Sequence, residues 1–540
     1  MKPIVEIAKK LNVPEEYIIP YGKDKAKIDL AYRQKLQDKP NGKLVLVTAI
    51  TPTKAGEGKT TTTIGLHDGF RRIGVNSLAC LREPSLGPVW GIKGGAVGAL
   101  KSTIVPSDKI NLHFNGDFHA LTSTINLIAA IIDNHIYQGN ELNIDPNKIV
   151  WNRALDINDR ALRSVTVAQD DSKATPHHNE FVITVASELM TILTISQTEE
   201  EFMERVNNII VAYTFDDKPV YFGAFNCSKA ILKMMREAMD PNLVQTLEEN
   251  PVLVHCGPFA NISIGVNSIN ATKLALKMAD VVVTEAGFGA DLGAEKFMDI
   301  KCQLGGIHPN AIVLVATVRA LKLHGGVKFE ELDNENIEAL KVGLCNLEKH
   351  YKNMQLYGVP VIIAINRFPS DTDAEIEYLN TWRLQNGILG YSVNTAALEG
   401  SKGSEDLAIK VKAMLDLQDA GIDCKDKFKS LYSFDEPILQ KIEKICKTIY
   451  GASGVEYTEE ALAQINQYTE MGYANLPVCI SKTPNSLTDD PKVLGAPTDF
   501  IIHIREVRLY AGAGLIVPLS GSLLLMPGLP KQPRCLDKFN

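Results

Sequence analysis

Residues 44–61, Leu-Val-Leu-Val-Thr-Ala-Ile-Thr-Pro-Thr-Lys-Ala-Gly-Glu-Gly-Lys-Thr-Thr, decide the fold. Leu44 to Ile50 is an apolar run of the length of a strand buried on both faces. It leads into a glycine-containing loop ending Gly58-Lys59-Thr60, then a helix-compatible run to about Ile73. Strand, glycine loop and helix in that order make a phosphate cradle. Glycines let backbone N–H groups approach phosphate oxygens, and the helix N-terminus adds positive potential. A lysine reaches the terminal phosphates, and a threonine hydroxyl, here Thr60, can ligate Mg2+. The usual first glycine of such a loop, five residues before Gly58, is Thr53, and Gly56 sits inside the loop. The competing reading is a plain strand–helix turn.

Short β-branched runs recur outward from this segment. Val252–His255, Val281–Thr284, Ile312–Ala316 and Val361–Ile365 are each followed by a glycine-rich or polar turn and a longer helical pattern. Fully apolar strands alternating with helices predict an α/β fold with a parallel sheet covered on both faces. Ligands in such sheets bind beyond the strands' carboxyl ends. Val281–Thr284 runs into a loop with Glu285, three glycines and Asp291, and Val361–Ile365 runs into Asn366-Arg367-Phe368-Pro369. The first brings two carboxylates together. The second places an amide and an aromatic where a planar ring could sit. Residues 404–475 read as mainly helical, and the last sixty-odd as short strands and turns.

Composition excludes several classes. The chain has 540 residues, net charge −8 and 45% apolar content, ordinary for a globular protein and unfavourable to nucleic-acid binding. The N-terminal segment is amphipathic and does not read as a secretory signal, and no apolar run is long enough to span a membrane. Nine cysteines are scattered without a CxxC pair, which fits reduced thiols in a cytoplasmic protein better than disulfides or a zinc site.

Two further segments carry chemistry. Val75–Leu81 reads as the next strand, putting Arg82 at its carboxyl end near the phosphate loop. An arginine there can hold a phosphate or carboxylate bidentately; the alternative is a structural Arg82–Glu83 pair in a turn. The run from Asn111 to His119 carries His113, Asp117 and His119, which strand alternation would place on one side. Their spacing matches no common zinc pattern, so packing or hydrogen bonding is the favoured role.

The motifs TPTKAGEGKTTT, LREPSLGPVWGIKGGA, INLHFNGDFHA, VTEAGFGADLGAEKF, VATVRALKLHGG, INRFPSDT and MPGLPK closely resemble the formate–tetrahydrofolate ligase family, over about residues 1–534. The resemblance implies ATP-dependent ligation of formate to tetrahydrofolate through formyl phosphate, in a cytoplasmic homotetramer activated by a monovalent cation, K+ or NH4+. It implies an ATP loop of Thr53, Lys54, Ala55, Gly56, Glu57, Gly58, Lys59 and Thr60, with Lys59 on the transferred phosphate. It implies that Arg82 holds formyl phosphate, that Asp117 lies near the folate amine and that Phe368 flanks the pterin. Lys59, Arg82, Glu83 and Asp117 are the expected catalytic set. The expected architecture is a parallel-sheet P-loop nucleotide domain, residues 1–360 with excursions into a second lobe. Two smaller α/β lobes are expected at 361–475, on the acceptor side, and at 476–540.

The chain departs from the family pattern on the folate side. Two glycines and a tyrosine become Ala99, Leu100 and Lys101, and histidines become Ile125 and Ile264. The segment 170–180, beginning Asp170-Asp171, is changed, and the pterin-stacking tryptophan is Ala397. Elements for ATP and the acyl phosphate persist. A relative with another acceptor or acid, or a catalytically weak regulatory subunit, are therefore the alternative readings.

Overall fold

The computed structural model describes residues 1–54, 56–91, 97–169, 172–422, 427–521 and 524–536. Ala55 of the expected ATP loop, residues 170–171 and Cys424 lie outside these. A twelve-stranded mixed sheet forms the centre. Seven of its strands run parallel, in the spatial order 391–394, 361–366, 311–316, 43–49, 281–285, 77–81 and 251–254. The Lys43–Ala49 strand, which feeds the phosphate loop, therefore lies between Ala311–Ala316 and Val281–Glu285.

Its apolar run is continuous because both faces are covered. Leu44, Leu46 and Ile50 face one core. Val45, Val47 and Ala49 face another, built with Leu66 and Phe70 of the Lys59–Arg72 helix and Leu407, Val411 and Leu415 of the Glu405–Asp419 helix. Gly65 sets how closely the first helix approaches its neighbours. A Cβ there would lie 2.4 Å from Ala396 Cβ and 2.7 Å from Ser404 Oγ. Only a glycine lets the 396–404 turn rest on the phosphate-loop helix.

Two sequence expectations change. The sheet does not break at residue 360, since Val361–Asn366 and Tyr391–Asn394 complete it through parallel ladders. A separate smaller sheet comes from Ile144–Ile149, Ile210–Thr214 and Pro219–Tyr221, within residues 1–360. Another joins Gly454–Tyr457 to Ile501–Tyr510 and Leu515–Ser520. Finally, Asp117 does not sit on a strand. It opens the helix Asp117–Tyr137, which follows Gly116 in the left-handed region at φ 96°. Asp117 is consequently buried while His113 and His119 are exposed. Among the described residues no cluster of three His, Cys, Asp or Glu side chains is arranged to hold a metal.

A buried ion pair ties the periphery to the sheet. Lys322 Nζ lies 2.9 Å from Glu375 Oε1, both side chains fully buried. Glu375 also accepts the Asn336 and Thr372 backbone N–H groups. Removing one partner strands the other charge away from water, at a cost of about 3–5 kcal/mol. Lys322→Met should therefore lower the urea midpoint markedly, as followed by circular dichroism. A midpoint equal to the wild type's would show the pair to be energetically idle.

Candidate active site

The parallel topology gathers the carboxyl ends of five strands around the phosphate loop. Glu285 ends one strand, Asn366 ends another, and Arg82 and Thr317 directly follow two more. The loop is held from below by Glu57, which is 1% exposed. Its Oε1 accepts the Thr53 N–H at 2.6 Å, and its Oε2 accepts the Thr317 hydroxyl. Gly56 and Gly58 both lie in the left-handed region, at φ 79° and 73°. At Gly58 a Cβ would also sit 2.9 Å from Asn366 Nδ2. Lys54 projects into solvent, and Lys59 opens the helix half-buried.

Three charged groups converge above this loop. Thr60 Oγ1 donates to Glu285 Oε2 at 2.7 Å, and Arg82 Nε lies 3.5 Å from Glu285 Oε1. That separation is an ion pair without a hydrogen bond: Arg82 Nε and Glu285 Oε1 both lack a hydrogen-bond partner among the described residues. The guanidinium fork is thus free to receive an oxyanion. Gly287 leaves it room, since a Cβ there would lie 2.7 Å from Arg82 Nη1. Burial lowers Lys59 to about 8, against the opposing pull of Glu285 and Glu57.

Glu83 and Asp117 form a second tier behind Arg82. Asp117 accepts from Lys27 Nζ at 2.6 Å and from Asn242 Nδ2 at 2.8 Å. Burial and then the Asp117 charge push the Glu83 carboxyl well above the ordinary range. The Asp117 carboxylate is therefore committed to a buried network of Lys27, Asn242 and Glu83.

Phe368 and Ala397 follow the ends of adjacent strands, which are joined there by an Arg367 N–H bond to the Asn394 carbonyl at 3.0 Å. One face of the Phe368 ring is already covered: the Arg319 guanidinium lies 5.3 Å from its centroid. Ala397 is half-buried, and its carbonyl accepts the Lys101 N–H at 3.0 Å. The sequence departures at 101 and 397 are thus in direct contact.

A chain of amides links this acceptor-side turn to the phosphate loop. Asn366 Nδ2 donates to the Glu57 carbonyl at 2.8 Å, and Asn366 Oδ1 accepts from Thr62 Oγ1 at 2.9 Å and from Asn394 Nδ2 at 2.7 Å. Asn394 Oδ1 in turn accepts from Ser404 Oγ at 2.6 Å. Sequence reasoning singled out Asn366 for a planar ligand, whereas its side chain is spent on positioning the loop. Thr317, Lys27, Arg319 and Asn394 were missed. A polar residue at or just past an apolar strand's end was the available signal for Thr317 and Asn394; Lys27 and Arg319 carried none.

Two outcomes test this geometry. Asn366→Ala should unseat the loop and cut turnover about tenfold or more while the protein stays folded; steady-state rates beside a melting curve check this, and an unchanged rate would make the amide chain incidental. Lys59 is cationic only below about 8. Nucleotide affinity should therefore fall as pH rises through that value, and calorimetry across the range should show the step in the wild type and none in Lys59→Ala.

Comparison with known proteins accords with this arrangement. The family model described as formate–tetrahydrofolate ligase matches residues 1–538. The formate–tetrahydrofolate ligase of Bartonella tribocorum is 51% identical over 536 residues, covering 98% of this chain and 94% of its own. That of Rhizobium rhizogenes is 51% identical over 532 residues with the same coverage. That of Sinorhizobium medicae is 51% identical over 533 residues, covering 98% and 93%. With the phosphate loop, Arg82 and Glu285 assembled at the strand ends and the match running through nearly the whole chain, this protein belongs to the formate–tetrahydrofolate ligase family.

Proposed function

We propose that the chain joins formate to tetrahydrofolate at the expense of ATP, releasing ADP and phosphate. The observation that carries this reading is the convergence of Lys59, Arg82 and Glu285 beside the loop, with Thr60 bonded to Glu285 and Arg82 paired with it. Formate is a poor electrophile. A formate oxygen attacks the γ-phosphorus of ATP, the bond to the β-phosphate oxygen breaks, and ADP departs. The folate amine then attacks the formyl carbon, and phosphate leaves with the C–O electron pair. In this reading the N–H groups of the Gly56–Thr60 loop and the Lys59 ammonium hold the phosphates, and the free Arg82 fork takes the acyl phosphate. Glu83 and Asp117 act as positioning residues behind Arg82: Asp117 is held by Lys27 and Asn242, and the backbone at Glu83 is fixed by its N–H bond to the Cys256 carbonyl at 2.7 Å.

The Thr60 hydroxyl and Glu285 carboxylate, 2.7 Å apart, are oxygen donors that fit Mg2+. The ion supplies charge neutralisation to the bound phosphates. The reading extends to a cytoplasmic homotetramer. Support for the location is that the described cysteines are unpaired and that, among the described residues, no helix is long and apolar enough to cross a membrane. Support for assembly is the exposed apolar Val150 and Phe215 on the 144–221 sheet. Light scattering reads the assembly.

The direct test is a product assay with ATP, formate and tetrahydrofolate, beside ATP and formate alone. Formyltetrahydrofolate is expected only in the complete mixture; ATP turnover without formyl transfer would point to another acceptor. Arg82→Lys should cut turnover by orders of magnitude and leave nucleotide affinity nearly unchanged, because lysine lacks the planar fork. Equal loss in both would make Arg82 structural.

The acceptor side gives the sharper expectation. With Arg319 on one face of Phe368, a pterin has only the other face, and no aromatic at 397 to close over it. Tetrahydrofolate should bind more weakly than in relatives carrying tryptophan there. Ala397→Trp should recover up to about 1.5 kcal/mol, roughly tenfold in affinity. A folate titration of both proteins reads this directly, and no gain on Ala397→Trp would show that the two positions do not share a ligand.

A further inference from the structure

A cavity of about 550 Å³ lies between the 144–221 lobe and the C-terminal sheet. None of Lys59, Arg82, Glu285, Asn366 or Phe368 lines it, so it is separate from the site described above. Its volume suits a small organic molecule. Its charges are unbalanced in a way that selects one kind of ligand.

Both of its cations are already committed. Lys148 Nζ lies 2.7 Å from Asp217, and Arg508 Nε donates to Glu506 at 2.6 Å. Two further lining carboxylates have no cationic partner within salt-bridge distance. Glu180 makes no side-chain hydrogen bond among the described residues, and Glu188 is met by backbone N–H groups alone, those of Ala513, at 3.0 Å on Oε1, and Gly512. Burial lifts Glu188 to about 7, the mark of a carboxylate short of compensating charge.

The remaining walls combine aliphatic and amide side chains with four aromatic ones, Trp151, Tyr213, Tyr468 and Tyr510. The Trp151 Nε1–H is used by the Ile125 carbonyl at 2.9 Å, and the Tyr468 hydroxyl by the Val507 carbonyl at 3.1 Å. These two therefore offer ring surface rather than polar atoms. The Tyr213 and Tyr510 hydroxyls make no hydrogen bond among the described residues. Electron-rich ring faces attract a cation, and flat walls accept a flat body. An anionic ligand finds no uncommitted cation here, and a purely apolar one leaves Glu180 and Glu188 facing it without compensation.

We propose that this cavity is a second small-molecule site, and that it takes an aromatic amine whose protonated ammonium group sits against Glu180 and Glu188. The ring then lies among Tyr213, Tyr468 and Tyr510. The assignment does not depend on the ligase reading, because its readout is binding and not turnover.

The test is calorimetric titration of the full-length protein with tyramine, beside its anionic counterpart 4-hydroxyphenylacetate and its neutral counterpart p-cresol. Tyramine should bind at least about tenfold more tightly than either. Glu180→Gln keeps the shape and removes the charge, so it should weaken tyramine about tenfold with the melting temperature unchanged; Glu188→Gln serves as the second variant if the first is poorly folded. Lys59→Ala should bind tyramine as the wild type does. Equal affinity for tyramine and the carboxylate, no heat with tyramine at about 10 mM, or full affinity in the glutamine variants would overturn the proposal. Loss of tyramine binding in Lys59→Ala would overturn it too, by assigning the amine to the phosphate loop.

Discussion

The buried carboxylate of Glu57 is the contact on which the rest of the site depends. It faces two ways at once, toward the Thr53 N–H of its own loop and toward the Thr317 hydroxyl of a neighbouring strand's end. Each charge-assisted bond is stronger than a neutral one, and both are shielded from water. The loop is thereby pinned to a strand distant in sequence. With the loop fixed, the two left-handed glycines can hold their backbone in the curve that a phosphate requires.

That fixed loop passes its position on. Asn366 reads the Glu57 carbonyl, Asn394 reads Asn366, and Ser404 reads Asn394. The last of these lies on the turn that Gly65 allows to rest against the phosphate-loop helix. The phosphate loop and the 394–404 turn are therefore one hydrogen-bonded body, and a change at one end is felt at the other through fixed distances. This bears on the departures at 101 and 397. Lys101 bonds the Ala397 carbonyl through its own backbone N–H, a contact independent of side-chain identity. The backbone contact at these positions therefore persists whatever side chains they carry.

Glu285, Glu83 and Asp117 are all buried, and their partners set their roles apart. Glu285 faces Thr60 and Arg82 beside the phosphate loop. Asp117 is spent on Lys27 and Asn242, and Glu83 on Asp117. Removing water from such groups is costly unless each finds a partner, and Asp117 finds two in Lys27 and Asn242. Glu83 Oε2, Arg82 Nε and Glu285 Oε1 are left without a hydrogen-bond partner among the described residues, open valence of the kind expected of a site that must receive charge without rearranging.

The sequence by itself determined the elements whose reasons are local. A run buried on both faces has to be apolar throughout, so Leu44–Ile50 announced a parallel strand. Glycines at 56 and 58 with Lys59 and Thr60 announced the phosphate loop, and Arg82 stood out because it follows a second such strand. The long shared motifs announced the family. Tertiary structure decided what depends on strand order. Val361–Asn366 reads as well in a separate lobe as in the central sheet; only its ladder with Ala311–Ala316 places it in the latter. Asp117 reads as part of a strand until the turn at Gly116 starts a helix and buries it. Arg319 and Lys27 carry no local sign of their roles, and Thr317 only that of a polar residue past a strand's end, because their partners lie tens to hundreds of residues away in the chain: 49 for Phe368, 90 for Asp117 and 260 for Glu57. A side chain's chemistry is written in the sequence, but the group it meets is set by the order in which strands pack.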